Sequence, residues 1–338
     1  MKLALHPCDL PLRHPFTISR GSIRVQRTLI VELEQQGFRG FGEAVASDYY
    51  QTTVEAMTAL LERHRAAVEA RSIDDPAVLW EEFRPWFGTS PFAQCAVDIA
   101  CHDLWGKVQG APVWKLWGLS LDNLPVTDYT VGIDTIETMT AKLQEFAGWP
   151  IYKIKLGTPG DLEIVRTLRQ HTDAVFRVDA NCGWTVAETI ANSRALRDLG
   201  VELIEQPLPA DDWEGMAEVF RRSALPVVAD ESCRIESDVD RCAGCFHGIN
   251  IKLVKCGGMT PARRMIARAR QLGLRVMLGC MTESTVGISA IAQFLPLADY
   301  ADLDGPLLLA RDPATGVVIR RGQVIFPAEN GCGVRLLG

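Results

Sequence analysis

Lysines at 153, 155 and 252 and acids at 179, 205, 230, 302 and 304 all stand at or near the ends of short apolar runs. Asp179, Glu205 and Asp230 are spaced 26 and 25 residues apart, a step that suits one strand plus one helix. Three acids at three successive strand ends make a convergent oxygen site. Hard cations such as Mg²⁺ prefer that site, with water and substrate oxygens completing the shell. Any one of these acids alone would read as a helix cap or a solvated loop residue, so the common spacing is the signal. Lys153 and Lys155 are two apart and share one face of a strand. Two cations on an interior face require anionic neighbours. Opposed lysines flanking a cation suit removal and return of a proton on a carbon beside a carboxylate.

Placing these groups together demands a particular architecture. From Val126 onward apolar runs recur at 126–133, 151–156, 174–179, 201–205, 226–230, 249–254, 274–279 and 298–303. Helical stretches lie between most of them, such as 161–171, 186–199, 213–222 and 260–272. Eight strands alternating with helices predict a parallel barrel, whose chemistry sits at the C-terminal strand ends. Runs two and six are four steps apart in a ring of eight, so Lys155 and Lys252 face one another. Lys255 has the wrong parity for that face and lies nearer Cys256-Gly257-Gly258, which makes it the weaker rival.

Residues 28–33 and 38–44 flank a turn at Gln35-Gln36-Gly37 and predict a hairpin. Helices are predicted over 53–71, with Val54, Met57, Leu60, Leu61 and Val68 near one face, and over 91–109 after Pro91. The expected division is an α+β capping domain over 1–120, a barrel over 121–310, and a segment over 311–338 that returns to the capping domain.

With 338 residues, 47% hydrophobic and 23% charged, the chain has the composition of an ordinary globular protein with ample core material. A formal net charge of -7 and the lack of a basic stripe argue against nucleic-acid binding. His6, Pro7 and Asp9 interrupt the N-terminus, and no apolar run reaches about 18 residues. The expectation is a cytoplasmic protein without a membrane partner. Its ten cysteines should then be reduced, and the Cys242-Ala-Gly-Cys245 spacing reads as chance.

Seven segments resemble the enolase superfamily, in its muconate-lactonising subgroup and specifically the dipeptide epimerases. They are Tyr152-Lys-Ile-Lys155, Val178-Asp-Ala-Asn181, Ile204-Glu-Gln-Pro207, Ala229-Asp-Glu-Ser232, Asn250-Ile-Lys252, Gly279-Cys-Met281 and Asp302-Leu-Asp-Gly-Pro306. Gly40-Phe-Gly-Glu43 and Ala100–Lys107 resemble the capping domain, with Cys101-His102 as a departure. The resemblance implies a modified (β/α)7β TIM-like barrel with an α+β capping domain. It implies one Mg²⁺ per subunit on Asp179, Glu205 and Asp230. Lys155 and Lys252 become the acid/base pair, Lys153 their electrostatic support, and Asn181 and Glu231 residues behind the metal ligands.

Within that resemblance Asp302 and Asp304 mark the dipeptide epimerases and suit capture of a dipeptide α-ammonium. The implied reaction inverts the α-carbon of the second residue of an L-Ala-D/L-Glu or related Ala-X dipeptide. Arg20 or Arg24 would pair with a glutamate side chain, and Met281, Thr282 and Glu283 would line the rest of the pocket. A hydrophobic-dipeptide epimerase is an alternative. So is a lyase or cycloisomerase of the o-succinylbenzoate synthase or muconate cycloisomerase type, although substrates without an ammonium leave the Asp302/Asp304 pair unexplained. A homo-oligomer and a role in peptidoglycan-peptide metabolism complete the expectations.

Overall fold

The computed structural model describes residues 1–337. The chain opens with an antiparallel sheet of β1 (Lys2–Ile18), β2 (Gly21–Gln35) and β3 (Phe38–Val45). Gln36 and Gly37 join β2 to β3, both with positive φ, 55° and 80°, as a type I′ hairpin turn requires. The β1–β2 pair is a long ribbon whose tip is Ser19-Arg20. The chain continues as α1 (Val54–Arg63), α2 (Arg65–Glu69), α3 (Pro76–Phe87), α4 (Pro91–Val108) and α5 (Val113–Leu116). The single helix expected over 53–71 is two pieces, because His64 leaves helical geometry at φ -107°, ψ 11°. β3 lies directly on α4. A Cβ at Gly40 or Gly42 would run into α4 backbone at Ala100 or Ala96, so only glycine permits this approach.

Eight parallel strands follow: β4 (Tyr129–Val131), β5 (Ile151–Lys155), β6 (Val175–Asp179), β7 (Val201–Glu205), β8 (Val227–Ala229), β9 (Gly248–Ile251), β10 (Arg275–Gly279) and β11 (Tyr300–Asp302). Each pairs with the next, and a Thr127–Ala301 bridge brings the two ends together as a barrel. Between them run α6 (Ile136–Glu145), α7 (Asp161–Arg169), α8 (Val186–Asp198), α9 (Trp213–Arg222), α10 (Asp238–Cys242), α11 (Leu253–Cys256), α12 (Met259–Gln271) and α13 (Thr285–Ala292). Among the described residues the only helix after β11 is the short α14 (Gly305–Leu308), which gives the (β/α)7β modification. Outward residues such as Ile154, Val178 and Ile204 join the main core under the helices. Leu203, Val228, Met277 and Tyr300 form a separate apolar cluster from four of the barrel strands.

Buried acids from the N-terminal unit cap barrel helices. Asp98 of α4 accepts Thr260 N–H and Oγ1–H, each at 2.8 Å, at the start of α12. Glu43 of β3 accepts Ser284 N–H and Gly287 N–H at the start of α13. These carboxylates satisfy orphan amides and complement the positive helix end. Because the helices begin at the C-terminal strand ends, the N-terminal unit is held over that end of the barrel. The final stretch crosses back to it, with Cys332 N–H donating to Asp103 Oδ1 of α4 at 2.7 Å.

Candidate active site

The alternating pleat turns Lys153 and Lys155 of β5 inward, along with Asp179 and Glu205 at the ends of β6 and β7. In-register pairing sets Lys155 beside Asp179 and Asp179 beside Glu205. Asp230 follows β8 and Lys252 follows β9. One oxygen from each of Asp179, Glu205 and Asp230 lies within 4.8 Å of the others, all three residues buried. Lys155 Nζ donates to Asp179 Oδ2 at 2.6 Å. Lys252 Nζ donates to Asp230 Oδ2 at 2.8 Å. Since β5 and β9 are four places apart in the ring, the two lysines reach the acidic cluster from opposite sides.

Lys153 lies below this layer, at 2.6 Å from Glu205, 2.7 Å from Asp302 and 3.4 Å from Asp179. Its side chain is 1% exposed. Burial alone would lower its pKa, but Asp302, Glu205 and Asp179 reverse that and hold it well above the ordinary range. It is a fixed cation at the floor of the site.

The acids divide by environment. Burial would raise Asp230, yet Lys252 and Lys255 hold it well below the usual carboxylate range. Burial would also raise Asp179, and Lys155 and Lys153 outweigh it to leave the net shift downward. Glu205, pressed by burial and by Asp179, is pushed up to about 7. Its buried Oε2 is the oxygen that lies 2.6 Å from the Lys153 ammonium. Three buried carboxylates whose oxygens converge within 4.8 Å are the hard donor set that fits a divalent cation in their midst.

Asn250 and Gln206, given no role of their own in the sequence, fix this arrangement together with Lys255, the rival to Lys252 there, and Tyr50. Asn250 Nδ2 donates to Glu205 Oε1 at 2.8 Å. It stands two residues before Lys252 on β9, so strand parity was a usable signal. Gln206, with φ 33°, accepts Asp230 N–H and Ser232 N–H through Oε1, both at 3.0 Å. Lys255 reaches behind the cluster. Its Nζ donates to Asp230 Oδ1 and O, both at 2.6 Å, to Cys233 O at 3.0 Å and to Asn250 O at 3.2 Å. Four acceptors saturate that ammonium, which supports Asp230 through the oxygen that Lys252 does not use. Tyr50, with its hydroxyl pKa raised by burial, feels both Asp230 and Lys252 from the capping domain.

Asp302 at the end of β11 and Asp304 just beyond converge with Cys280, one ligand atom of each within 4.8 Å of the others. Lys153 occupies Asp302 Oδ2, and Thr130 N–H donates to Asp304 Oδ2 at 2.6 Å. Burial and the neighbouring Asp302 push Asp304 up to about 7, the environment of a pocket that favours a cation. Met281, Thr282 and Glu283 follow β10 on the same end of the barrel. Thr282 and Glu283 are buried and Met281 is half-buried.

The β1–β2 tip reaches this end as well. Arg20 Nη2 donates to Glu231 Oε1 at 2.7 Å and Nη1 to Asn181 O at 3.1 Å, with the guanidinium over the Tyr49 ring. Asn181 therefore meets Arg20 through its carbonyl, in a left-handed conformation at φ 45°. Arg24, the other arginine expected to pair with a substrate glutamate, lies on β2 and is exposed.

A barrel with a lysine-flanked acidic cluster under an α+β cap defines an enzyme class that manipulates carbon acids at a metal. Residues 137–337 match the enolase C-terminal domain-like family, and residues 3–118 match the mandelate racemase/muconate lactonizing enzyme N-terminal domain. An L-Ala-D/L-amino acid epimerase of Flavobacterium johnsoniae is 56% identical over 100% of both chains. An L-Ala-D/L-Glu epimerase of Bacteroides thetaiotaomicron is 42% identical, covering 99% of this chain and 88% of that one. The solved dipeptide epimerase of Cytophaga hutchinsonii, complexed with Mg and the dipeptide D-Ala-L-Val, superposes with a TM-score of 0.94. That pair is 26% identical, over 99% of this chain and 95% of the other. The chain belongs to the enolase superfamily.

Proposed function

We propose that the protein is a Mg²⁺-dependent dipeptide epimerase that inverts the α-carbon of the second residue. The observation that carries this reading is the placement of Lys155 and Lys252 on opposite sides of one acidic cluster, with a second acidic pair alongside. Asp179, Glu205 and Asp230 hold the cation. When bound, it supplies positive charge to the substrate carboxylate as negative charge builds there. Lys155 on the β5 side and Lys252 on the β9 side then address opposite faces of the α-carbon. The lysine facing the hydrogen accepts the proton as a neutral amine, and the other returns one as an ammonium to the opposite face, inverting the centre. Lys153, pinned by three carboxylates, stays charged and adds a fixed positive potential. Asp302 and Asp304 receive the α-ammonium. That choice separates a dipeptide from the substrates of a lyase or cycloisomerase.

Arg20 refines the substrate class. Its guanidinium already faces Glu231 at 2.7 Å, so a substrate glutamate would have to compete with an existing anion. Arg24 is exposed on β2. Both facts favour Ala-X dipeptides with an uncharged second residue, in keeping with the broad name of the Flavobacterium johnsoniae relative. The test is incubation with Mg²⁺ and a set of L,L-dipeptides in D₂O, following mass and configuration. Deuterium at the second α-carbon with inversion is expected. No deuterium there in any dipeptide would overturn the reading.

A further inference from the structure

Glu43 and Glu283 are two buried carboxyl groups that meet at the first turn of α13, one from the capping sheet and one from the loop after β10. Their hydrogen-bond partners are sharply unequal. Glu43 accepts from Thr28 Oγ1 at 2.9 Å, Ser284 Oγ at 2.6 Å, Ser284 N at 3.1 Å and Gly287 N at 3.0 Å. Glu283 accepts only Met281 N–H, at 2.9 Å on Oε1, and its Oε2 is buried without a partner. That Oε2 lies against Gly287 so closely that a Cβ there would collide with it. The N–H of the same glycine donates to Glu43, so the two carboxyls converge on one residue. Four donors and a helix N-terminus favour the anion at Glu43. A buried oxygen with no donor disfavours it at Glu283.

We infer that Glu283 is held protonated beside an ionised Glu43, so that capping domain and barrel meet through a pair of carboxyls carrying a single negative charge. The proton removes the negative charge from an oxygen that has no donor and with it the repulsion of two buried anions. Through Met281 N–H, the pair also positions the 281–284 segment beside the substrate pocket. Glu283 is thus a positioning residue. The other groups facing the pair are Lys252 after β9, Cys95 on α4 and Cys280 at the end of β10, with Cys8 of β1 facing Glu43. Lys252, the one cation among them, is engaged with Asp230. Burial and Glu43 push Glu283 from 4.5 up to about 8, in agreement with the geometry.

Between these two values the folded protein holds a proton that the unfolded chain releases, so stability falls as pH rises through the window and levels above about 8. Glu283→Gln tests this. Glutamine keeps an acceptor for Met281 N–H and is neutral at every pH. Urea midpoints of the Mg²⁺-saturated full chain should match wild type near pH 5. Near pH 8 the variant should be the more stable, the difference in the pH slope amounting to about one proton. Glu43→Gln, which turns an amide into existing donors, and Glu283→Ala should both be less stable at either pH. Equal destabilisation by Glu283→Gln at both pH values would overturn the inference, as would interchangeable behaviour of the two glutamine variants.

Discussion

Lys255→Met separates the support of the metal site from its chemistry. In the wild type, Lys255 gives Asp230 a second cation at 2.6 Å and closes three backbone carbonyls in a position 2% exposed. Methionine keeps the apolar stem and removes every donor. Breaking one side of a buried ion pair costs about 3–5 kcal/mol, because the partner is left desolvated. Spread over 338 residues at about 2.1 cal/mol/K each, that lowers Tm by roughly 4–7 °C. Asp230 is also less firmly held, so a higher Mg²⁺ concentration is needed for half-maximal activity. At saturating Mg²⁺ the variant should still exchange the α-proton from both stereoisomers, since Lys155 and Lys252 remain. Calorimetry, a Mg²⁺ titration of activity and proton NMR in D₂O report the three effects. Wild-type melting combined with loss of exchange from one stereoisomer would make Lys255 the base and refute the reasoning.

Two further outcomes probe the substrate pocket. Asp304→Asn retains an oxygen for Thr130 N–H but loses its charge, so KM for free dipeptides should rise about 10- to 100-fold while N-acetyl analogues are unaffected; equal loss for both would remove the ammonium role. Arg20→Ala should reduce kcat/KM for L-Ala-L-Glu and L-Ala-L-Leu alike and by less than about tenfold, since a partly exposed ion pair is worth little. A loss confined to the glutamate substrate would show that Arg20 reads the side chain.

The barrel was legible because each strand is a buried apolar run, and the acids and lysines fall at fixed places within those runs. Seven of the eight runs contain a whole strand and the run 249–254 overlaps β9, while helices α7, α8, α9 and α12 lie within a few residues of the stretches read as helical. Elsewhere local signals conflicted. α13 is buried on every side and has no amphipathic period to read. α3 starts with a clear Asp75-Pro76 cap but contains Pro85, which argues against a helix. The break at His64 follows from local geometry that the apolar pattern does not encode. At the site, Asn250 could be found by parity with Lys252. Lys255 was legible as a rival base but not as the support of Asp230, because it lies in the single turn of α11, where strand parity no longer sets its direction. The Arg20–Glu231 pair joins residues 211 apart and is set by the reach of the β1–β2 ribbon.

Two-sided proton transfer is tested most directly by α-proton exchange of the L,L- and L,D-forms of one Ala-X dipeptide in D₂O with Lys155→Ala and Lys252→Ala. Both variants should lose epimerisation by at least about 10²-fold. Each should still exchange the α-proton of one stereoisomer, and the two should differ in which one. Exchange of the same stereoisomer by both variants, or epimerisation surviving in either, would contradict two lysines acting on opposite faces.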